Sequence, residues 1–215
     1  MTLSTNSDLK KTLKALVLPE IPGPLEEVGR IAEIAARDDG IAIAIQLGFP
    51  AATVEQEYRA AIREAANAIH PDTNIEVTIE YKLTAHGVQR TLKPLDNVSN
   101  IIAVASGKGG VGKSTTATNL ALALSRDGAR VGVLDADIYG PSQPLMLGLS
   151  GQRPTSDDGQ TMNPLEAHGI QVMSIGFLID ADQPMVWRGP MVTQALNQLL
   201  QQTRWDNLDS VSYTH

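Results

Sequence analysis

The chain has 215 residues, 42% of them hydrophobic but only 4% aromatic, with a formal net charge of −7 and no cysteine. That length allows one large domain or two small ones, with a core built mostly from Ala, Leu, Ile and Val. The acidic balance argues against a nucleic-acid partner, which needs a basic face, and the lack of thiols excludes disulfides and thiolate ligation of a metal by this chain. No run approaches the ~20 apolar residues that cross a bilayer. The first nine residues are polar and lack the apolar segment of a signal peptide, so no membrane partner and a cytoplasmic location are expected.

The first ten residues or so read as frayed. Leu9, Leu13, Leu16 and Val17 recur at helical spacing, and Pro19, Pro22 and Pro24 stop that helix. Asp38-Asp39-Gly40 signals a hairpin between residues 30–36, which alternate loosely, and residues 41–47, which alternate cleanly. Thr53 fits an N-cap with Gln56 as its capping-box partner, opening a helix over residues 54–69. Residues 75–83 alternate again and predict a third strand. Residues 84–99 are polar and contain Gly87, Pro94 and Asn97. The domains expected are therefore a small α/β module over 8–84, a linker over 85–99 and a second domain over 100–215.

From Ile101 the pattern changes. Residues 101–105 form a short apolar run, suited to a strand buried on both faces. A glycine-rich loop follows, then a helix over 113–126 with Gly128 as its C-terminal glycine. Residues 130–134 give a second buried strand that ends in Asp135-Ala136-Asp137. Such a β–loop–α–β order predicts a mostly parallel sheet with right-handed crossovers. Residues 138–168 read as long surface loops, residues 170–175 as a strand, and Pro190 as the first turn of a helix over 191–202.

The loop Gly107-Lys108-Gly109-Gly110-Val111-Gly112-Lys113-Ser114-Thr115 meets the phosphate-loop pattern, with Gly107, Gly112, Lys113 and Ser114 at its fixed positions. Glycines let the backbone aim several N–H groups at one point, and the helix behind adds its positive end. Lys113 is placed to reach the β- and γ-phosphates of ATP, and Ser114 to offer its hydroxyl to Mg²⁺. Lys108, directly after the first glycine, marks the deviant Walker A class, in which this lysine reaches the nucleotide of a dimer partner. Asp135 and Asp137 sit at a strand's C-terminal end, where a carboxylate can hold Mg²⁺ through water or orient the attacking water. His70, His86, His168 and His215 show no metal-ligand spacing and read as surface residues. Met173, Met185, Met191, Trp187 and Arg188 read as packing.

Residues 101–204 resemble the Mrp/ApbC family of P-loop ATPases, iron–sulfur cluster carriers. The resemblance rests on residues 102–118, on Val133-Leu134-Asp135-Ala136-Asp137-Ile138-Tyr139-Gly140-Pro141-Ser142, on Met173-Ser174-Ile175-Gly176-Phe177-Leu178, and on Trp187-Arg188-Gly189-Pro190-Met191. Residues 8–84 look like the small α/β iron–sulfur-assembly domain that precedes the ATPase in bacterial members. The resemblance implies a homodimeric ATPase that hands a cluster to apo iron–sulfur proteins. It implies that residues 107–115 hold the phosphates, that Lys108 acts across the dimer, and that Asp137 lies in the first switch segment. Members go on to a second switch strand and a Cys-x-x-Cys pair. Here Trp205-Asp206-Asn207-Leu208-Asp209 leads into Ser210-Val211-Ser212-Tyr213-Thr214-His215, which shows no strand pattern. The expectation is an incomplete P-loop NTPase sheet, truncated or frameshifted before that strand, poorly stable and weakly active, with no iron–sulfur ligand in this chain. The rival readings are a partitioning-type ATPase of the same deviant class and a non-enzymatic partner-binding module.

Overall fold

The computed structural model describes residues 3–85, 95, 97–137, 140–178 and 189–214. The chain divides into two units, Met1–Thr84 and Ala85–His215. The first has helices α1 (Leu3–Ala15), α2 (Leu25–Val28) and α3 (Glu55–Asn67), and strands β1 (Gly29–Arg37), β2 (Gly40–Leu47) and β3 (Asn74–Tyr81). Period-2 alternation makes its sheet one-sided: Ile41, Ile43, Ile45 and Leu47 of β2 are buried, while the residues between them are half-buried. Strand β1 pairs antiparallel with β2 through the expected hairpin, Arg37 opposite Gly40. Strand β3 pairs parallel with β2 after the α3 crossover. Leu9 and Leu13 of α1 and Tyr58, Ile62 and Ala66 of α3 share one apolar cluster with these strands.

Two details of this unit differ from the expectation. Helix α1 begins at Leu3 rather than after a frayed end, because Leu9 and Leu13 are fully buried and anchor it. Helix α3 begins at Glu55 with Val54 as its N-cap and no side-chain cap. A turn in which Val54 N–H donates to Ala51 O (3.1 Å) moves the helix start past Thr53.

The second unit holds β4 (Ile101–Val104), α4 (Lys113–Arg126), β5 (Val131–Asp135), α5 (Gln143–Met146), β6 (Leu165–Ala167), β7 (Ile170–Ser174), a 3₁₀ turn (Ile175–Phe177), α6 (Gly189–Gln202) and β8 (Ser210–Thr214). The sheet order is β4-β8-β5-β7-β6. All pairs are parallel except β6 with β7. Helix α4 ends where Gly128 takes φ 99°, a left-handed value that suits glycine. The segment expected to be surface loop also contributes structure: α5 and β6 lie within it, and Gln143, Leu147 and Leu149 are buried.

The C-terminal residues overturn a larger expectation. They form β8, which lies between β4 and β5, although their sequence shows no strand pattern. Val211 stands opposite Ile101 and Gly132, and Ser212 opposite Ile102 and Val133. Serine has little strand preference of its own, but partners on both sides impose the extended backbone, a tertiary override of local propensity. The segment before the strand is tied down as well. Asp209 accepts from the Arg130 backbone N–H (2.9 Å) and the Arg130 guanidinium (3.3 Å), and its carbonyl accepts from Asn100 Nδ2 (3.2 Å). The Ser210 and Ser212 hydroxyls are buried and have no hydrogen-bond partner among the described residues. Strand β4 is one of the two edge strands of the described sheet, and its Ile101 is 50% exposed.

Candidate functional site

The loop from β4 to α4 emerges at the C-terminal edge of the parallel strands, where open α/β sheets place their ligands. Gly110 and Gly112 take φ 75° and 88°, the left-handed region that a side chain disfavours. Gly107 and Gly109 do not need that freedom. A Cβ built on either would meet no protein atom within 4 Å, so packing does not demand a glycine there. Gly132 on β5 is the contrast: a Cβ there would lie 2.6 Å from Leu208 Cδ1 and 3.0 Å from Trp205 Cζ3. The loop glycines therefore keep open a cradle of backbone N–H groups in front of the α4 N-terminus, a geometry that suits phosphate.

That cradle opens into a cavity of about 650 Å³. Among its lining residues are Lys108, Lys113, Ser114, Asp137 and Ser142. Lys113 Nζ lies 3.3 Å from Asp137 Oδ2, with the lysine side chain 15% exposed and the aspartate 35%. The structure thus brings Lys113 and Asp137 together from a helix start and a strand end 24 residues apart. Lys108 is exposed, and its carbonyl accepts from Ser106 Oγ (3.0 Å).

Asp135 is buried, and its carboxylate is used by the fold. Oδ1 accepts from Asp137 N–H (3.1 Å), while Oδ2 accepts from Gln143 N–H (3.0 Å) and from Ser174 Oγ (3.2 Å). It ties the tip of β5 to the start of α5 and the end of β7. Gln143 continues the network: fully buried, it donates from Nε2 to Ser114 O (3.3 Å) and accepts from Thr118 Oγ1 (2.8 Å). Thr118 Oγ1 also lies 2.9 Å from Ser114 O. Sequence reading missed Gln143, Thr118 and Ser174. Thr118 had a signal, since it lies one helical turn beyond Ser114. Gln143 had none that spacing could reveal, because its partners come from another element.

Ile138, Tyr139, Met185, Trp187, Arg188, His86, His215 and most of the 85–99 linker lie outside the described residues. Among the described residues no group of three or more His, Cys, Asp or Glu side chains could hold a metal ion. No described helix is long and apolar enough to cross a membrane.

A loop that keeps phosphate-sized room without any packing reason, at the mouth of a parallel sheet, places the second unit among the P-loop NTPases. The chain belongs to the NUBPL iron-transfer P-loop NTPase family, whose model matches residues 97–212. Residues 6–78 match the model of an iron–sulfur cluster assembly protein. The chain is similar to the iron–sulfur cluster carrier protein of Haemophilus influenzae, 40% identical over 209 residues that make up 97% of this chain and 56% of that one. It is similar to the protein of that name from Synechocystis, 40% identical over 212 residues, 95% of this chain and 59% of the other. With the carrier protein of Pseudomonas fragi it shares 59% identity over 138 residues, 64% of this chain and 48% of that one. The chain thus spans about half the length of these curated relatives. A solved nucleotide-binding protein in complex with ADP from Archaeoglobus fulgidus is 36% identical, with a TM-score of 0.46, over 55% of this chain and 44% of that one.

Proposed function

We propose that this chain is the ATP-binding and ATP-hydrolysing part of a cytoplasmic iron–sulfur cluster carrier that passes clusters to apo iron–sulfur proteins. The observation that carries the reading is the open glycine cradle ahead of Lys113 and Ser114. In this reading the backbone N–H groups of residues 107–115 and the Lys113 ammonium hold the β- and γ-phosphates. Asp137 orients a water for in-line attack on the γ-phosphorus; the bond to the bridging oxygen breaks, and ADP leaves as an anion stabilised by Lys113. The Ser114 hydroxyl fits Mg²⁺ chemistry, with Asp135 reaching the ion through water, and the ion would neutralise charge on the phosphate oxygens. Lys108, exposed at the cavity rim, acts on the nucleotide of a second copy in a homodimer. The cluster is cargo, and with no cysteine in its sequence this chain supplies no thiolate to it.

The test is calorimetric titration of the chain with Mg²⁺ and ADP or a non-hydrolysable ATP analogue, beside Lys113→Ala. Native binding, lost in the variant, supports the reading. A native chain that binds neither nucleotide sinks it. Anaerobic cluster reconstitution of the same sample is expected to load no thiolate-bound cluster.

A further inference from the structure

Helix α5 opens on a glutamine where packing alone asks for no amide. Gln143 is fully buried and is not among the residues that line the cavity. A buried amide is costly unless both its ends are bonded, and here both are. Its Nε2 donates to Ser114 O (3.3 Å), and its Oε1 accepts from Thr118 Oγ1 (2.8 Å). The same residue donates its backbone N–H to Asp135 Oδ2 (3.0 Å). One residue thus ties the first turn of α4 to the tip of β5.

Those two places carry Ser114 and Asp137, which line the cavity. Asp137 hangs from the same carboxylate, since its N–H donates to Asp135 Oδ1 (3.1 Å). From Ser114 O through Gln143 and Asp135 to the Asp137 N–H, the hydrogen bonds form one continuous strut behind the site. The two kinds of ligand in the proposed reading depend on that strut unequally. Phosphate oxygens are gathered by N–H groups of a single loop, so a small shift between the walls leaves the cradle whole. Mg²⁺ demands near-ideal octahedral geometry and would draw on both walls.

We infer that Gln143 is a positioning residue: its side-chain amide holds Ser114 and the Asp135–Asp137 tip at one spacing, so that the site takes a nucleotide together with Mg²⁺ better than the nucleotide alone. The inference rests on the nucleotide and magnesium reading above. Loss of a partner that stands behind metal ligands commonly costs about tenfold or more in metal affinity.

The experiment titrates the native chain and Gln143→Met calorimetrically with a non-hydrolysable ATP analogue, once in Mg²⁺ and once in EDTA. Methionine keeps the side chain's length and the backbone N–H but removes the amide, and Thr118 Oγ1 still has Ser114 O as an acceptor. A thermal melt should therefore stay near native; if Gln143→Met fails to melt cooperatively, Gln143→Leu takes its place in the same titrations. The expected result is unchanged affinity in EDTA, with the gain from Mg²⁺ about tenfold smaller than in the native chain. Equal loss in both buffers, or loss in neither, overturns the inference and leaves the nucleotide reading standing. A native chain that binds equally well with and without Mg²⁺ overturns the inference and the magnesium part of that reading. A native chain that binds in neither buffer overturns the inference and the nucleotide reading together.

Discussion

Replacing Ser212 with alanine is expected to stabilise the second unit. In register, Ser212 stands between Ile102 of β4 and Val133 of β5, and Val133 is followed by Val172 of β7, so its row across the sheet is otherwise aliphatic. The residue is 1% exposed, and its hydroxyl has no described partner. A buried hydroxyl in that condition costs about 1–3 kcal/mol, a sizeable part of the ~5–15 kcal/mol that holds a typical domain together. Alanine removes the hydroxyl, breaks no described hydrogen bond and adds no volume. Each kcal/mol gained should raise the melting temperature by roughly 3–4 °C for a unit of this size. Intrinsic tryptophan fluorescence isolates the effect, because both tryptophans, Trp187 and Trp205, fall in the second unit. A midpoint that stays put or falls in Ser212→Ala would refute the claim that this hydroxyl is unpaired and costly.

Asp209→Ala should act in the opposite sense, costing about 1–3 kcal/mol because it takes the acceptor from the Arg130 backbone N–H. Asp209→Asn, which keeps an oxygen there, should lose less in the same melt. Gly132→Ala should cost about 1–3 kcal/mol by overpacking, since the new methyl meets Leu208 and the Trp205 ring; a shifted Trp205 emission together with a lower midpoint is the readout. Asp158 is held well below the usual carboxylate range, first by the Thr161 N–H, then by the Gln160 N–H and the Thr161 hydroxyl, with Arg204 adding a smaller effect. The sign follows from that depression: the contribution of this turn is present above the unfolded aspartate value of ~3.9 and is lost only as pH falls through the lower folded value. The Thr161 amide resonance should hold its position as pH is taken down through ~4, and an inflection there would count against the arrangement.

Much of the fold was legible because the relevant signals are local. The period-2 run from Ile41 to Leu47 forms the central strand of the first sheet, Asp38-Asp39 makes its hairpin, and Gly128 closes α4. Membership of the P-loop family was legible for the same reason, since the loop's pattern is a fixed spacing within nine residues. What failed was set by distant partners. Ser210-Val211-Ser212 has no strand signature of its own and becomes a strand because β4 and β5 flank it. Asp135 reads as a carboxylate that reaches Mg²⁺ through water; that it also accepts from Gln143 N–H and Ser174 Oγ had no signal in the spacing, because those partners lie in elements that only the fold brings near. Thr53 offered a reasonable cap, but a turn closed by the Val54 N–H on Ala51 O makes Val54 the N-cap residue.

The position of β4 at the rim of the described sheet has a thermodynamic consequence. The strand that launches the phosphate loop is paired, among the described strands, only with β8, through four residue pairs. A molecule in which β8 has come away from the sheet has also released the launching strand, and with it the geometry that gathers the loop's N–H groups. The apparent dissociation constant of any phosphate ligand is then the intrinsic one divided by the fraction of molecules with β8 docked. By the same linkage, ligand binding raises that fraction. Amide hydrogen exchange in β4 and β8 should slow together when ligand is added, and a change at Ser212 should read out as tighter binding by a loop it never touches.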